Sequence, residues 1–175
     1  MKRTLAFVAC ISVAAMAHGE SSTPDEVLAY AKAKDSQSAR EKYFSCWEKS
    51  NASGYAQVET GSVKWLQVAT QLLKDSDGCY SLGLKDSIAR ALIAKPENVL
   101  PLVDSARNLE ASSICVPFMA DETDPAKVRS QLDTLRRLEL ALKRVSRPEL
   151  QTQKKKCLLI VQSLQKDIGA APTSR

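Results

Sequence analysis

The chain has 175 residues, a formal net charge of +5, 26% charged residues and a single histidine. One histidine excludes catalytic arrangements that set His beside Ser, Cys or Asp unless they recruit His18. Aromatic residues make up 5% of the chain and stop at Phe118, which argues against base-stacking recognition of single strands and against a nucleic-acid partner.

Lys2 and Arg3, the apolar run Leu5 to Ala14 and then Ala15-Met16-Ala17 have the organisation of a secretory signal with an A-x-A cleavage site. The run is shorter than the about 20 apolar residues that span a bilayer, which disfavours a retained anchor. Cys10 lies too close to the basic residues for lipoprotein processing and is expected to leave with the signal. We expect residues 1–17 to be a signal peptide, 18–23 a disordered start, 24–168 a single helical domain and 169–175 a disordered tail. No transmembrane segment is expected after cleavage, and the remaining length suits one domain with its own core.

Thr23-Pro24-Asp25-Glu26 combines an N-cap threonine, a first-turn proline and a glutamate that closes a capping box. It predicts a helix, or a pair of helices, running to about Lys49 and ended by Asn51-Ala52-Ser53-Gly54. From Ser62 the set Val63, Leu66, Ala69 or Thr70 and Leu73 repeats at helical spacing, and Asp75-Ser76-Asp77-Gly78 stops it. A further helix is predicted over Cys79 to Ala94, with Leu84, Ile88, Ala91 and Leu92 on one face. Pro96-Glu97 opens a short helix, and Ser112 to Glu122 reads as loop. Asp124-Pro125 starts a helix with the stripe Val128, Leu132, Leu135, Leu138, Leu142 and Val145. After the turn Ser146 to Glu149, the last helix presents Leu150, Cys157, Val161, Leu164 and Ile168, so the two form an antiparallel αα-hairpin. The fold class is thus all-α: a compact bundle, or a short stacked-helix array of HEAT type, with about six helices.

Four cysteines remain after cleavage, Cys46, Cys79, Cys115 and Cys157, and they permit three connectivities. Pinning the loop at Cys115 to the apolar side of the final helix favours Cys115–Cys157 and leaves Cys46–Cys79. No close pair such as CxxC exists, which disfavours zinc or redox chemistry, and an exported chain favours structural bridges. Asn51-Ala52-Ser53 fits a glycosylation sequon, although the leader has a bacterial character. The aromatic residues Tyr43, Phe44, Trp47 and Tyr55 around Cys46 read as core, with a ligand platform as the alternative.

Catalytic candidates are few. His18, exposed at a new N-terminus by cleavage after Ala17, lacks the second histidine that a copper brace requires. Asp75 with Asp77, or Asp121, Glu122 and Asp124, offer carboxylates for acid–base work or calcium. Asp75-Ser76-Asp77-Gly78 begins like an EF-hand loop and Asp86 stands at its twelfth position, but a predicted helix intervenes, so stop and cap residues explain these side chains better. No motif implies a cofactor or a metal site.

The order Trp65, Asp77-Gly78-Cys79, Ala91-Leu92 with Pro96, Val99 and Leu100, then Ile114-Cys115-Val116-Pro117-Phe118 and Cys157-Leu158 resembles a group of exported proteobacterial helical proteins with a HEAT-like middle. The resemblance covers roughly residues 60–160; it implies stacked helix pairs and supports the Cys115–Cys157 pairing, but implies no activity.

Charge is unevenly placed. Acids outnumber bases before Asp124, whereas Lys143, Arg144, Arg147, Lys154, Lys155, Lys156 and others crowd the last two helices. The expected function is a non-enzymatic periplasmic or secreted protein-binding domain, with an immunity or inhibitor protein against a secreted toxin or cell-wall hydrolase as its specific form. Lys143, Arg144, Lys155 and Lys156 are the expected contacts to an acidic protein partner. The alternative is a carboxylate-dependent hydrolase acting on envelope polysaccharide.

Overall fold

The Thr23 signal starts the first helix as the sequence predicts. Glu26 N donates to Thr23 Oγ1 at 3.3 Å and Thr23 N donates to Glu26 Oε2 at 2.7 Å, a complete capping box. These contacts come from a computed structural model that describes residues 22–46, 54–117 and 124–170. Among the described residues the chain is helical and contains no strand. The signal peptide, Trp47, the sequon, Asp121, Glu122 and the tail after residue 170 lie outside them.

The predicted opening segment is a pair: α1 (Pro24–Ala33) and α2 (Ser36–Tyr43), divided where Asp35 turns extended and its carboxylate accepts from Ser38 N at 2.6 Å. Then comes a helix that the sequence reading did not foresee, α3 (Gly54–Glu59). Gly54 opens it because a Cβ there would lie 2.6 Å from the buried Phe44 ring. Gly61, with φ of +70°, ends the turn after it, and its N–H donates to Val58 O.

α4 (Val63–Leu73) buries more than one stripe. Trp65, Leu66, Val68, Ala69, Leu72 and Leu73 are all buried because α1, α2, α3 and α5 all touch this helix. The predicted core position Val63 is 65% exposed, since it stands in the first turn on the side away from those helices. α5 (Gly78–Ala94) is the central element, with Leu84, Ile88, Ala91 and Leu92 buried as expected and contacts to α3, α4, α6, α7 and α8. α6 (Pro96–Val99) runs into a 3-10 turn at Leu100–Leu102. The segment read as loop from Ser112 instead begins within one helical turn, α7 (Ala111–Ile114), whose first N–H is held by Asp104 Oδ1 at 2.9 Å.

α8 (Pro125–Lys143) and α9 (Gln151–Ala170) form the hairpin, joined through a 3-10 turn at Pro148–Leu150. Leu135, Leu138, Leu142, Val145, Leu150, Cys157 and Val161 are buried, while Val128, Leu132, Leu164 and Ile168 are half-buried toward the open end. α9 runs two residues beyond the predicted end at 168.

One contiguous core joins Val27 to Val161. A solenoid repeat touches only its neighbours. Here α5 is covered by five other helices, so the compact-bundle alternative is the one observed, with nine α-helices among the described residues because short helices fill the joints.

Two disulfides staple it: Cys46–Cys79, with Cα atoms 5.6 Å apart, ties the end of α2 to the start of α5, and Cys115–Cys157, at 5.0 Å, ties α7 to α9. Cys115 and Cys157 are wholly buried, whereas Cys79 is exposed.

A basic face on the C-terminal hairpin

α8 turns Leu135, Leu138 and Leu142 into the core and packs on α5, α9 buries Cys157 and Val161, and most cations of the two helices face outward, the arrangement that 3.6-residue periodicity imposes on an amphipathic helix. Lys143, Arg144, Lys155 and Lys156 are all exposed, but their surroundings differ. Lys143 Nζ lies 2.8 Å from Glu139 Oε1, which also accepts from Gln162 at 3.0 Å. The Lys143 ammonium first, and the Gln162 amide second, hold the Glu139 carboxyl below its usual range. Lys156 reaches across to Asp104 Oδ2 at 2.7 Å. That bond is the largest reason why the Asp104 carboxyl also sits low, with the Ala111 N–H next. Arg144 and Lys155 make no ion pair among the described residues.

The triple-lysine run therefore has three separate duties. Lys154 Nζ donates to Lys143 O at 3.2 Å and to Val145 O at 2.7 Å, closing the C-terminal end of α8 where carbonyls lack helical donors. Lys156 anchors the Asp104 turn, and Lys155 faces solvent.

Beside this face runs a groove of about 260 Å³ between the α5–α6 corner and the end of α8. Ala94, Pro96, Ala141 and Val145 contribute its apolar lining, and Lys95 and Arg144 its cations. A second groove of about 300 Å³ lies among Leu28, Ala31, Lys32, Ser36, Gln67 and Gln71. The first holds the single carboxylate Glu97 and the second none, so neither brings together the carboxylate pair that a hydrolase needs.

Among the described acidic candidates, Asp75 and Asp77 are exposed and Asp86 pairs with Arg90 at 2.8 Å. Asp124 accepts from Ala126 N at 2.9 Å as a cap, and Asp77 occupies the N-cap position of α5 without a side-chain cap bond. Among the described residues no group of three or more His, Cys, Asp or Glu side chains converges on a metal position.

The aromatic group divides. Phe44 is buried and meets Tyr55 edge-on at 5.1 Å between centroids, with the Tyr55 ring lying over Gly83. The Tyr55 hydroxyl is enclosed without a hydrogen-bond partner, and burial, followed by the neighbouring Tyr80, raises it to about 12. Tyr43 packs edge-on against Tyr30 at 5.6 Å, with Lys42 Nζ 4.2 Å from the Tyr30 ring centre.

Two important cations were missed by sequence reasoning. Arg40 is buried and its guanidinium donates to Leu72 O at 3.0 Å and Asp75 O at 3.2 Å, closing the end of α4. No local pattern marks it, because its partners are more than thirty residues away. Lys95 had a visible signal, a cation just before Pro96 where a helix is bound to stop.

Fold and face together define a disulfide-stapled, all-helical domain that carries a basic hairpin. No protein-family model, curated protein or solved structure matches the chain. Among the described residues no helix is long and apolar enough to cross a membrane.

Proposed function

We propose that the protein is a non-enzymatic, exported binding domain that works in the periplasm and docks an acidic protein through the outer side of α8 and α9. The observation that carries this reading is that the hairpin exposes Arg144 and Lys155 with no ion pair among the described residues, next in sequence to Lys143 and Lys156, on a disulfide-stapled frame. Exposed cations carried on helices steer an anionic partner toward the face they occupy. Disulfides support an oxidising compartment. An immunity or inhibitor role toward a secreted toxin or cell-wall hydrolase is the specific form we favour, and the likeness to exported proteobacterial helical proteins is compatible with it.

Affinity capture from periplasmic extract tests the proposal, with the wild type and the variant Lys143→Gln, Arg144→Gln, Lys155→Gln, Lys156→Gln compared at low and high salt. A partner retained by the wild type at low salt and lost by the variant supports it. Equal retention by both moves recognition elsewhere, with the Tyr30–Tyr43 side of α1 and α2 as the next surface to test.

A further inference from the structure

Of the four expected contact residues, Arg144 lines the 260 Å³ groove, which it shares with Lys95. Lys95 also makes no side-chain ion pair among the described residues. Two cations with no ion pair among the described residues thus line one groove together with the apolar Ala94, Pro96, Ala141 and Val145. Glu97 stands on the same rim, so the excess is one positive charge, and recognition there requires local pairing of carboxylates more than a broad field. Asn98 is engaged, donating to Gly61 O at 2.9 Å, which fixes the rim. The volume is below the common range for small-molecule sites, about 300–1,000 Å³, and suits a single side chain.

We infer that this groove is the specificity pocket of the basic face, taking one apolar side chain of an acidic peptide segment in the partner while Lys95 and Arg144 pair with the flanking carboxylates. The inference rests on the protein-binding reading and narrows it. The cations also stand at the C-terminal ends of α5 and α8, where they complement the helix dipoles, so the test must separate a binding role from a structural one.

The probe is a fluorescein-labelled peptide containing Glu-Glu-Leu-Glu-Glu, followed by fluorescence anisotropy on the full domain. Lys95→Gln with Arg144→Gln should weaken binding about tenfold, as expected for two partly exposed charge pairs. Glutamine keeps the Cβ and Cγ with which Lys95 covers Gly61. Arg129→Gln with Lys166→Gln removes the same charge from the same hairpin, with Arg129 about 22 Å from Arg144 along α8 by helical rise, and should leave binding nearly unchanged. Ala141→Leu fills the groove without altering charge and should weaken the leucine peptide but not its Leu→Gly counterpart. Thermal melts accompany each variant, and a binding loss matched only by unfolding overturns the inference. Equal losses from both charge pairs overturn the groove but leave the basic face standing. An oligothymidylate of equal charge that outcompetes the peptide, or no measurable peptide binding by the wild type at low salt, also overturns it, while capture of a partner through the hairpin decides the broader reading separately.

Discussion

The α8–α9 hairpin and the chain before it cover the same central helix by different means. The hairpin uses helices of 19 and 20 residues whose buried residues, Leu135, Leu138 and Leu142 in one and Cys157 and Val161 in the other, recur at helical spacing. Apart from α5, the earlier part uses helices of 4 to 11 residues, lengths that are marginal in isolation. Distant contacts close them instead: Arg40 on the end of α4, the Phe44 ring on Gly54, Asp104 on the start of α7. A long amphipathic helix is specified by its own sequence, whereas a short one is specified by what terminates it.

The largest expected effects come from the bridges, one wholly within the early part and one joining it to the hairpin. The sequence separations are 33 and 42 residues. Chain entropy then gives about 4 kcal/mol for each, differing by only ~0.2 kcal/mol. Accessibility separates them, since Cys79 is exposed and both partners of the other bridge are buried. Graded reduction with alkylation and peptide mapping should label Cys46 and Cys79 well before Cys115 and Cys157. Cys115→Ala and Cys157→Ala should lower stability by similar amounts, with the double variant little worse than either single one. Additive losses would mean that these two residues are not paired with each other.

Next in size is the contrast between apolar truncation in the hairpin and polar truncation before it. Leu138→Ala should cost about 3 kcal/mol through lost burial and a residual cavity. Arg40→Met should cost about 2 kcal/mol by leaving the Leu72 and Asp75 carbonyls without their charged donor. Urea titrations read both, and an Arg40 variant as stable as wild type would remove the claim that long-range polar closure holds the short helices.

What was legible follows the same division. The hairpin, its turn, α5 and the capping box at Thr23 could be read because their patterns are local. α3 could not, since it is held by tertiary packing, Gly54 on Phe44 and Tyr55 on Gly83 of α5, and the wide burial of α4 depends on four neighbouring helices. The basic residues were readable as a set, but the assignment of Lys154 to a helix end, Lys156 to Asp104 and Arg144 to a groove with Lys95 required the tertiary fold.

Within the lysine run the expected effects are smaller. Lys154→Met should lower stability by about 1 kcal/mol because Lys143 O loses its side-chain donor and Val145 O keeps only the longer bond from Gln151 at 3.4 Å. Lys155→Met should stay within about 0.5 kcal/mol of wild type, as for an exposed position. Equal losses in thermal melts would erase the distinction between them.

The smallest effect concerns pH. Asp104 is held below the ordinary aspartate value of 3.8 in the folded protein, chiefly by Lys156. Its contribution is therefore complete above that value and fades as pH falls through the lower folded pKa. The thermal midpoint of Asp104→Asn should lie below wild type at neutral pH and converge with it in strong acid. A gap that widens on acidification would show that Asp104 acts through something other than its charge.

The most direct test of the central claim is the association rate of a partner captured from periplasm, measured by stopped flow against salt for the wild type and the Lys143→Gln, Arg144→Gln, Lys155→Gln, Lys156→Gln variant. Exposed cations act mainly by steering, so the variant should associate more slowly with little change in dissociation, and added salt should bring the wild type toward the variant. Equal association rates for the two proteins, unaffected by salt, would contradict a basic docking face on the hairpin.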